Sequence, residues 1–263
     1  MEIIITAIIV TGVIGLVAAA TITVATKLMF VKVDPRVEKL MKILPGANCG
    51  ACGFSGCEGY ANALAKGEVA TNLCPPGGNE TVEKINELLG VTGGEGITQK
   101  IAIIHCTGDV ETLKTKMIYN GIRSCVAAKQ LYGGQGSCSF SCLGYGDCIE
   151  VCPSSAICMT GGIAHVDIRK CSGCEVCVKI CPTGVISIEP TPVHVALLCR
   201  NTERGKAVKD KCSRGCIACM KCVRECHLNA ITVHESLAVI DYTKCDGCGH
   251  CAEICIKKCI VKY

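Results

Sequence analysis

Residues 171–182 read CSGCEVCVKICP, four cysteines followed at once by a proline. Thiolates at this spacing, C-x2-C-x2-C-x3-C, are typical of the ligands of a [4Fe–4S] cubane. The same run recurs at residues 216–227 and 245–256, and residues 138–153, CSFSCLGYGDCIEVCP, are a looser variant that still ends in Cys-Pro. The chemistry that these groups predict is one-electron transfer through iron–sulfur clusters.

Cysteine occurs 26 times in 263 residues, which also raises the alternatives of disulfides and zinc. Disulfide frameworks use scattered cysteines because each bridge closes a loop, whereas many pairs here lie only two residues apart. Zinc accepts four thiolates as well, but zinc ribbons do not share a fourth ligand between neighbouring motifs. The spacing therefore favours clusters over both alternatives.

The later cysteines repeat at an offset of 74 residues, which indicates a duplicated module. Nine pairs keep this offset: Cys125 and Cys199, Cys138 and Cys212, Cys142 and Cys216, Cys148 and Cys222, Cys152 and Cys226, Cys171 and Cys245, Cys174 and Cys248, Cys177 and Cys251, and Cys181 and Cys255. In two-cluster ferredoxins three close cysteines bind one cubane and the fourth ligates the other. Four ligand groups follow: Cys138, Cys142, Cys148 and Cys181; Cys152, Cys171, Cys174 and Cys177; Cys216, Cys219, Cys222 and Cys255; Cys226, Cys245, Cys248 and Cys251.

A fifth group precedes the repeat. Its members, spaced x2, x4 and x16, are Cys49, Cys52, Cys57 and Cys74. Apolar positions before the group and the segment VEKINELLG after it predict amphipathic helices, the second of which ends at Gly90. Taken alone, four thiolates at this spacing suit zinc as well as a cubane.

Six cysteines remain after five cubanes: Cys106, Cys125, Cys158, Cys199, Cys212 and Cys259. We expect Cys106, Cys125, Cys199 and Cys212 as candidates for a sixth cluster, and the alternative is that they are buried free thiols. The repeat leaves Cys212 ambiguous because it aligns with Cys138, whereas Cys219 aligns with Tyr145. The second module thus has five candidates for four ligand positions.

Residues 3–25 carry no charge and are long enough, as a helix, to cross a hydrocarbon core of about 30 Å. The alternative is a cleaved signal peptide, but Glu2 leads the segment and the apolar run exceeds a usual h-region. Lys27, Lys32, Arg36 and Lys39 follow the apolar run. The positive-inside rule predicts a single-pass protein of the cell membrane with its bulk in the reducing cytoplasm.

Aromatic residues make up 3% of the chain and tryptophan is absent, so we expect clusters to occupy the cores. Short strands after the cysteine groups predict an α+β fold: an N-terminal transmembrane helix (1–30), a small helical [4Fe–4S] domain (31–92) and two tandem dicluster ferredoxin-like modules (93–190 and 191–263). The net charge of +4 with few aromatics gives no support for nucleic-acid binding. No glycine-rich nucleotide motif or set of histidine ligands is evident.

The order of a membrane span, NCGACGFSGCEGYANAL with LCPPGG, and serial ferredoxin motifs resembles the B subunit of the Rnf complex over essentially the whole chain. The resemblance implies a component of an ion-translocating oxidoreductase that takes electrons from soluble ferredoxin. It would relay them through five, or with the extra site six, [4Fe–4S] clusters to membrane and peripheral subunits. His227 and Ile256 replace the usual proline after two motifs, which alters flanking residues and not ligands.

Two other functions stay open at this point. One is a ferredoxin-like electron-transfer subunit of a membrane hydrogenase or formate dehydrogenase, although the early Cys49–Cys74 group argues against it. The other is an iron–sulfur storage or assembly protein, which would release its clusters to apoproteins. No residue pattern predicts an acid–base catalytic site in this chain.

Overall fold

A computed structural model describes residues 2–28, 34–91 and 96–263. Helix α1 spans Glu2–Leu28, and every side chain described in it is exposed. Its threonine hydroxyls donate to carbonyls three or four residues earlier, as Thr6 does to Glu2, so these polar groups are satisfied within the helix. Lys32 of the predicted basic cluster lies outside the described residues.

Three helices form the next unit: α2 (Pro35–Ile43), α3 (Cys57–Lys66) and α4 (Gly78–Leu89). The Asp34 side chain caps α2 by accepting from the Arg36 amide, and Gly90 ends α4 in the left-handed conformation, as the sequence predicts. A 3-10 turn at Pro75–Gly77 follows the last cysteine of this unit. Its core contains Val37, Leu40, Tyr60, Leu64 and Ile85.

The remaining chain alternates short helices and short strands. The helices are α5 (Cys125–Gln130), α6 (Asp147–Glu150), α7 (Val176–Ile180), α8 (Gly205–Lys211), α9 (Lys221–Arg224) and α10 (His250–Glu253). The strands are β1 (Lys100–Ile104), β2 (Ile157–Thr160), β3 (Ile163–Val166), β4 (Ile186–Pro190), β5 (Val195–Leu197), β6 (Ile231–His234), β7 (Leu237–Ile240) and β8 (Ile260–Lys262).

The strands form two copies of one arrangement. In the first module β1 pairs antiparallel with β4, and β2 with β3 form a hairpin. In the second module β5 pairs antiparallel with β8, and β6 with β7 form the equivalent hairpin. Each long-range pair joins the two ends of its module around the hairpin and the cysteine-bearing turns. The α+β class and both predicted hairpins are confirmed.

The two modules contact each other along β1 and β5. Ile101 and Ile103 pack against Val193 and Ala196 in a buried apolar cluster. The ring of His105 spans the same junction: Nδ1 lies 2.6 Å from the Leu197 carbonyl oxygen and Nε2 lies 2.6 Å from Ser187 Oγ. The junction therefore places the segments that follow β1 and β5 side by side.

Candidate iron–sulfur sites

None of the 26 cysteines forms a disulfide, and 24 of them fall into six groups of four. Site 1 contains Cys49, Cys52, Cys57 and Cys74; site 2 contains Cys152, Cys171, Cys174 and Cys177; site 3 contains Cys125, Cys142, Cys148 and Cys181. Site 4 contains Cys106, Cys138, Cys199 and Cys212; site 5 contains Cys216, Cys219, Cys222 and Cys255; site 6 contains Cys226, Cys245, Cys248 and Cys251. Cys158, which is exposed, and the buried Cys259 stand outside the groups.

Site 1 lies where the chain turns from α2 into α3. The Asn48 side chain fixes this turn, since its Oδ1 accepts from the Cys57 amide at 2.8 Å. Cys57 begins α3, and Cys74 directly precedes the 3-10 turn. Burial raises the pKa of Cys74 to about 11, and the neighbouring thiols Cys57, Cys49 and Cys52 add to the rise. Four thiols thus converge at this turn, as the sequence predicts.

Site 2 lies between β1 and the end of α6 and has the predicted composition. Backbone amides point at two of its sulfurs: Ala102 donates to Cys171 Sγ and Ala156 to Cys152 Sγ, each at 3.4 Å. Such bonds stabilise charge on the sulfur. Burial raises the pKa of Cys177 to about 12, with contributions from the other three thiols.

Site 3 differs from the sequence prediction by one residue, because Cys125 and not Cys138 joins Cys142, Cys148 and Cys181. Asp147 explains the placement. Its carboxylate accepts from Ser124 Oγ and from the Cys125 amide, each at 2.8 Å, which holds the start of α5 against the start of α6. The Cys125 sulfur is thereby brought to the cavity, and Cys125 helps to raise the pKa of Cys148, whose main cause is burial.

Site 4 lies at the junction of the modules and corrects the prediction of a group that included Cys125. Cys106 follows β1, Cys199 follows β5, Cys212 ends α8, and Cys138 takes the place expected for Cys125. All four are buried. Residues 107–116 link the two sides, since the Leu113 backbone pairs with Cys212 and the Lys114 amide donates to the Lys211 carbonyl.

Two further donors face site 4. The Asn201 amide nitrogen lies 3.3 Å from Cys138 Sγ, and the Cys216 amide donates to Cys199 Sγ at 3.3 Å. Burial raises the pKa of Cys106 to about 12 and that of Cys199 to about 11. The pocket is therefore apolar but supplies donors to two of its four sulfurs.

Sites 5 and 6 occupy the second module with the predicted residues. Burial is the main cause that raises the pKa of Cys222 to about 11, and the nearby thiols of Cys216, Cys219 and Cys255 raise it further. The pKa of Cys251 rises to about 11 for the same reason. In site 5 the neighbouring Cys259 thiol lowers the pKa of Cys216 to about 6 and that of Cys255 to about 5.

The spacing of the sulfurs distinguishes a cluster from a single ion. A Zn²⁺ ion bound at about 2.3 Å would draw four sulfurs to about 3.8 Å from one another. Among the residues that the structure describes, the one trio of potential ligands whose atoms all lie within 4.8 Å is His227, Asp246 and Cys248. The cysteine groups are therefore wider than a zinc tetrahedron, which fits four thiolates on four separate irons.

That exposed trio includes a histidine that no motif had marked as functional. His227 Nε2 lies 3.2 Å from Asp246 Oδ2, and the Cys248 amide donates to Asp246 at 3.1 Å. His227 stands where proline usually follows the motif, so this departure places an ionisable ring beside site 6.

One helix among the described residues is long and apolar enough to cross a membrane. It covers Ile4–Lys27 and has a mean hydropathy of 2.4, and its apolar stretch is not buried in the protein. A signal sequence or a buried core helix can pass the same test of length and composition, but this helix has no protein partner in the described structure. It is a candidate membrane span.

Two family models match the chain. The FeS family, described as an Fe-S cluster, matches residues 44–76, which contain all of site 1. The Fer4 family, a 4Fe-4S binding domain, matches residues 164–187, which contain Cys171, Cys174, Cys177 and Cys181. All of site 1, three cysteines of site 2 and one of site 3 thereby lie in segments that match known cluster-binding families.

Several curated proteins match nearly the whole chain. The B subunit of the ion-translocating oxidoreductase complex of Methanosarcina acetivorans is 39% identical and aligns over 94% of this chain and 93% of its own length. The chain belongs to the B-subunit family of the ion-translocating oxidoreductase, or Rnf, complexes.

Two more members of the Rnf B family carry fuller names. The B subunit of the Na(+)-translocating ferredoxin:NAD(+) oxidoreductase complex of Acetobacterium woodii is 37% identical over 95% of this chain and 75% of its own length. The B subunit of the proton-translocating ferredoxin:NAD(+) oxidoreductase complex of Clostridium ljungdahlii is 35% identical over 98% and 91%. As an Rnf B subunit, the chain is an iron–sulfur electron-transfer component of an ion-translocating oxidoreductase and is associated with the membrane through that complex.

Proposed function

We propose that this member of the Rnf B family binds six [4Fe–4S] clusters and relays electrons from reduced soluble ferredoxin to the other subunits of its complex. The observation that carries the proposal is site 4, where cysteines from both modules line one buried cavity. With that site, 24 of the 26 cysteines have a role as iron ligands, and the two modules form one electron path.

We propose the four cysteines of each site as the ligands of one cubane, and their convergence in the structure supports this assignment. Each bound cubane would accept and release one electron at a time. The protein's part is to hold four thiolates wide enough apart for four irons, to shield most of them from solvent, and to aim backbone and side-chain donors at some of their sulfurs. Burial and donors both influence the potential of a bound cluster.

The exchange of a single cysteine between motifs keeps neighbouring sites close. Cys148 lies in α6 and belongs to site 3, whereas Cys152, just after α6, belongs to site 2. Cys226 and Cys222 divide in the same way between sites 6 and 5. Two ligands four residues apart thus bind two different clusters, which supports transfer between adjacent sites within each module.

Helix α1 would anchor one end of this path beside the membrane subunits. Its interior between Glu2 and Lys27 carries no ionisable residue, so we place ion translocation in other subunits of the complex. Lys27, Arg36 and Lys39 on the carboxyl side favour a cytoplasmic location for the rest of the chain. We retain 1–30, 31–92, 93–190 and 191–263 as the proposed domain limits.

Iron and acid-labile sulfide per chain, measured on anaerobically purified protein, test the cluster number. We expect about 24 of each, at four per cubane for six cubanes. About 20 would remove site 4 from the path, and zinc with little iron would overturn the electron-transfer function of the groups. The variant C106S should lose about four irons, whereas C158S, outside every site, should lose none.

A titration with reduced ferredoxin tests the donor. We expect the clusters of the full chain to become reduced under anaerobic conditions, as seen by the loss of visible absorbance and the appearance of EPR signals. Transfer of iron to an apoprotein without any reduction would instead support the storage function. Neutralising the basic residues of α1 and α2 is a control that should leave this reduction unchanged.

A further inference from the structure

Cys259 is a cysteine outside the six sites that nevertheless lies against one of them. It is 1% exposed and lines the same cavity as the four cysteines of site 5. Its Sγ lies 3.7 Å from Cys255 Sγ, within the distance of a thiol hydrogen bond. A fifth thiol therefore lies in the site 5 cavity and against one of the four proposed ligands.

The first module offers the same cavity without this thiol. Val185 lies 74 positions before Cys259, is 1% exposed, and lines site 3. The backbones match as well: the His105 amide donates to the Val185 carbonyl at 2.7 Å, and the Leu198 amide donates to the Cys259 carbonyl at 2.6 Å. Sites 3 and 5 thus have a valine and a cysteine, respectively, at the same structural position.

We propose that Cys259 is a positioning residue whose S–H donates a hydrogen bond to the ligand sulfur of Cys255 and so raises the reduction potential of the site 5 cluster. The proposal rests on the cluster assignment made under the proposed function. Reduction adds a negative charge that the ligand sulfurs share, and a donor stabilises charge on sulfur more in the reduced form. A valine in this place offers no such donor.

The geometry favours a donor over a ligand. Four other thiols complete site 5, and two ligands of one cubane bind different irons, so their sulfurs stay well apart. The 3.7 Å separation of the Cys259 and Cys255 sulfurs is that of a thiol hydrogen bond.

The reciprocal variants C259V and V185C in the full, anaerobically reconstituted chain test this proposal. EPR-monitored redox titration should show one couple shifted to a more negative potential in C259V, with the iron content unchanged. We expect the reduction equilibrium of that cluster to fall about threefold to tenfold, which is about 30–60 mV for one electron. V185C should shift the site 3 couple to a more positive potential.

C259S is the conservative variant, since its hydroxyl keeps a donor of similar size, and its couple should stay nearer the wild-type potential than that of C259V. A loss of about four irons in C259V would show that Cys259 is a ligand and overturn the proposal. Unchanged couples in both C259V and V185C would also overturn it. Failure of the proposed function is seen separately, as wild-type protein that lacks iron or has no reducible clusters.

Discussion

The side-chain amide of Asn201 donates a hydrogen bond of 3.3 Å to the sulfur of Cys138. Asn201 is 2% exposed, and its carbonyl oxygen accepts from the Glu203 amide, which fixes the orientation of the side chain. The buried donor therefore comes from the second module, and the sulfur that accepts its hydrogen bond comes from the first. Site 4 is therefore shaped by both modules in its hydrogen bonding as well as in its ligands.

The variant N201A tests the role of this donor. We expect the site 4 couple to move to a more negative potential, because a donor to the ligand sulfur is lost, while the iron content stays the same. Redox titration with EPR detection measures the shift. N62A, which removes an exposed amide on α3, should leave every couple in place. A full iron complement with unshifted couples in N201A would contradict the prediction.

Asp147 should be required for loading of site 3. In D147A the start of α5 loses three hydrogen bonds to the carboxylate, including that of the Cys125 amide, so Cys125 is no longer held at the cavity. We expect a loss of about four irons per chain. E150A changes a carboxylate on the same helix that is not part of this contact and should keep the wild-type iron content. Retention of all iron in D147A would show that Cys125 is placed by other contacts.

Gly173 should be intolerant of any side chain. Its φ is +66°, and a Cβ there would lie 2.5 Å from the Lys100 carbonyl oxygen, between Cys171 and Cys174 of site 2. We expect G173A to destabilise the fold by about 2–4 kcal/mol, from backbone strain and from the clash with β1. G184A, with φ +61° but open space at its Cβ, should cost only about 1–2 kcal/mol. The loss of cluster absorbance with increasing guanidinium gives the comparison.

The sites should differ in their response to acid. A thiol must lose its proton to bind iron, and a raised pKa means that protons compete more strongly. The pKa is about 12 for Cys148 in site 3, whereas in site 5 it is about 11 for Cys222 but only about 6 for Cys216 and about 5 for Cys255. As pH falls, site 3 should release its cluster before site 5. EPR of samples equilibrated at decreasing pH would show the order, and simultaneous loss would contradict it.

In the apoprotein the raised pKa values act in the opposite direction, because they make the fold less stable as pH rises and not as it falls. A thiol such as Cys148 keeps its proton more tightly when folded, so its contribution to stability is present below the ordinary value of 9.0 and is lost as pH rises towards 12. The apo form of the first module should therefore become less stable between pH 9 and pH 12. Far-UV circular dichroism of iron-free protein over this range measures the effect, and an apo fold that strengthens with pH would contradict it.

Removing α1 should release the chain from the membrane without affecting the clusters. The described side chains of α1 are all exposed, so the helix contributes nothing to the packing of the cysteine sites. A chain that lacks residues 2–28 should appear in the soluble fraction with the iron content of the full chain. High-salt washing of wild-type membranes is the control and should leave the full chain bound. Persistence of the shortened chain in the membrane would indicate another attachment.

Much of this arrangement was predictable because cluster motifs and β-hairpins are local in sequence. The spacing after Cys171 defines three ligands of one site, and the segments around β2 and β6 predict hairpins from alternation and turn residues. The exchange of Cys125 and Cys138 was not predicted, because it depends on how Asp147 joins α5 to α6 and on how α8 meets residues 107–116.

A signal for the exchange was nevertheless present in the repeat. The second module has Cys219 where the first has Tyr145, so Cys219 can complete site 5 and leave Cys212 free. If Cys212 is free, its counterpart Cys138 is free as well, and Cys125 must then complete site 3. The pattern allowed this solution, but only the packing of the modules selects it.

The duplication gives the junction an unexpected origin. Cys106 follows β1 and Cys199 follows β5, the equivalent strands of the two modules, and both cysteines line site 4. Cys138 and Cys212, which keep the 74-residue offset, complete the same site, so each module contributes an equivalent pair of thiols to it. A duplicated domain can in this way use the cysteines that its own clusters do not need to form a shared site with its second copy. The two copies then conduct electrons as a single unit.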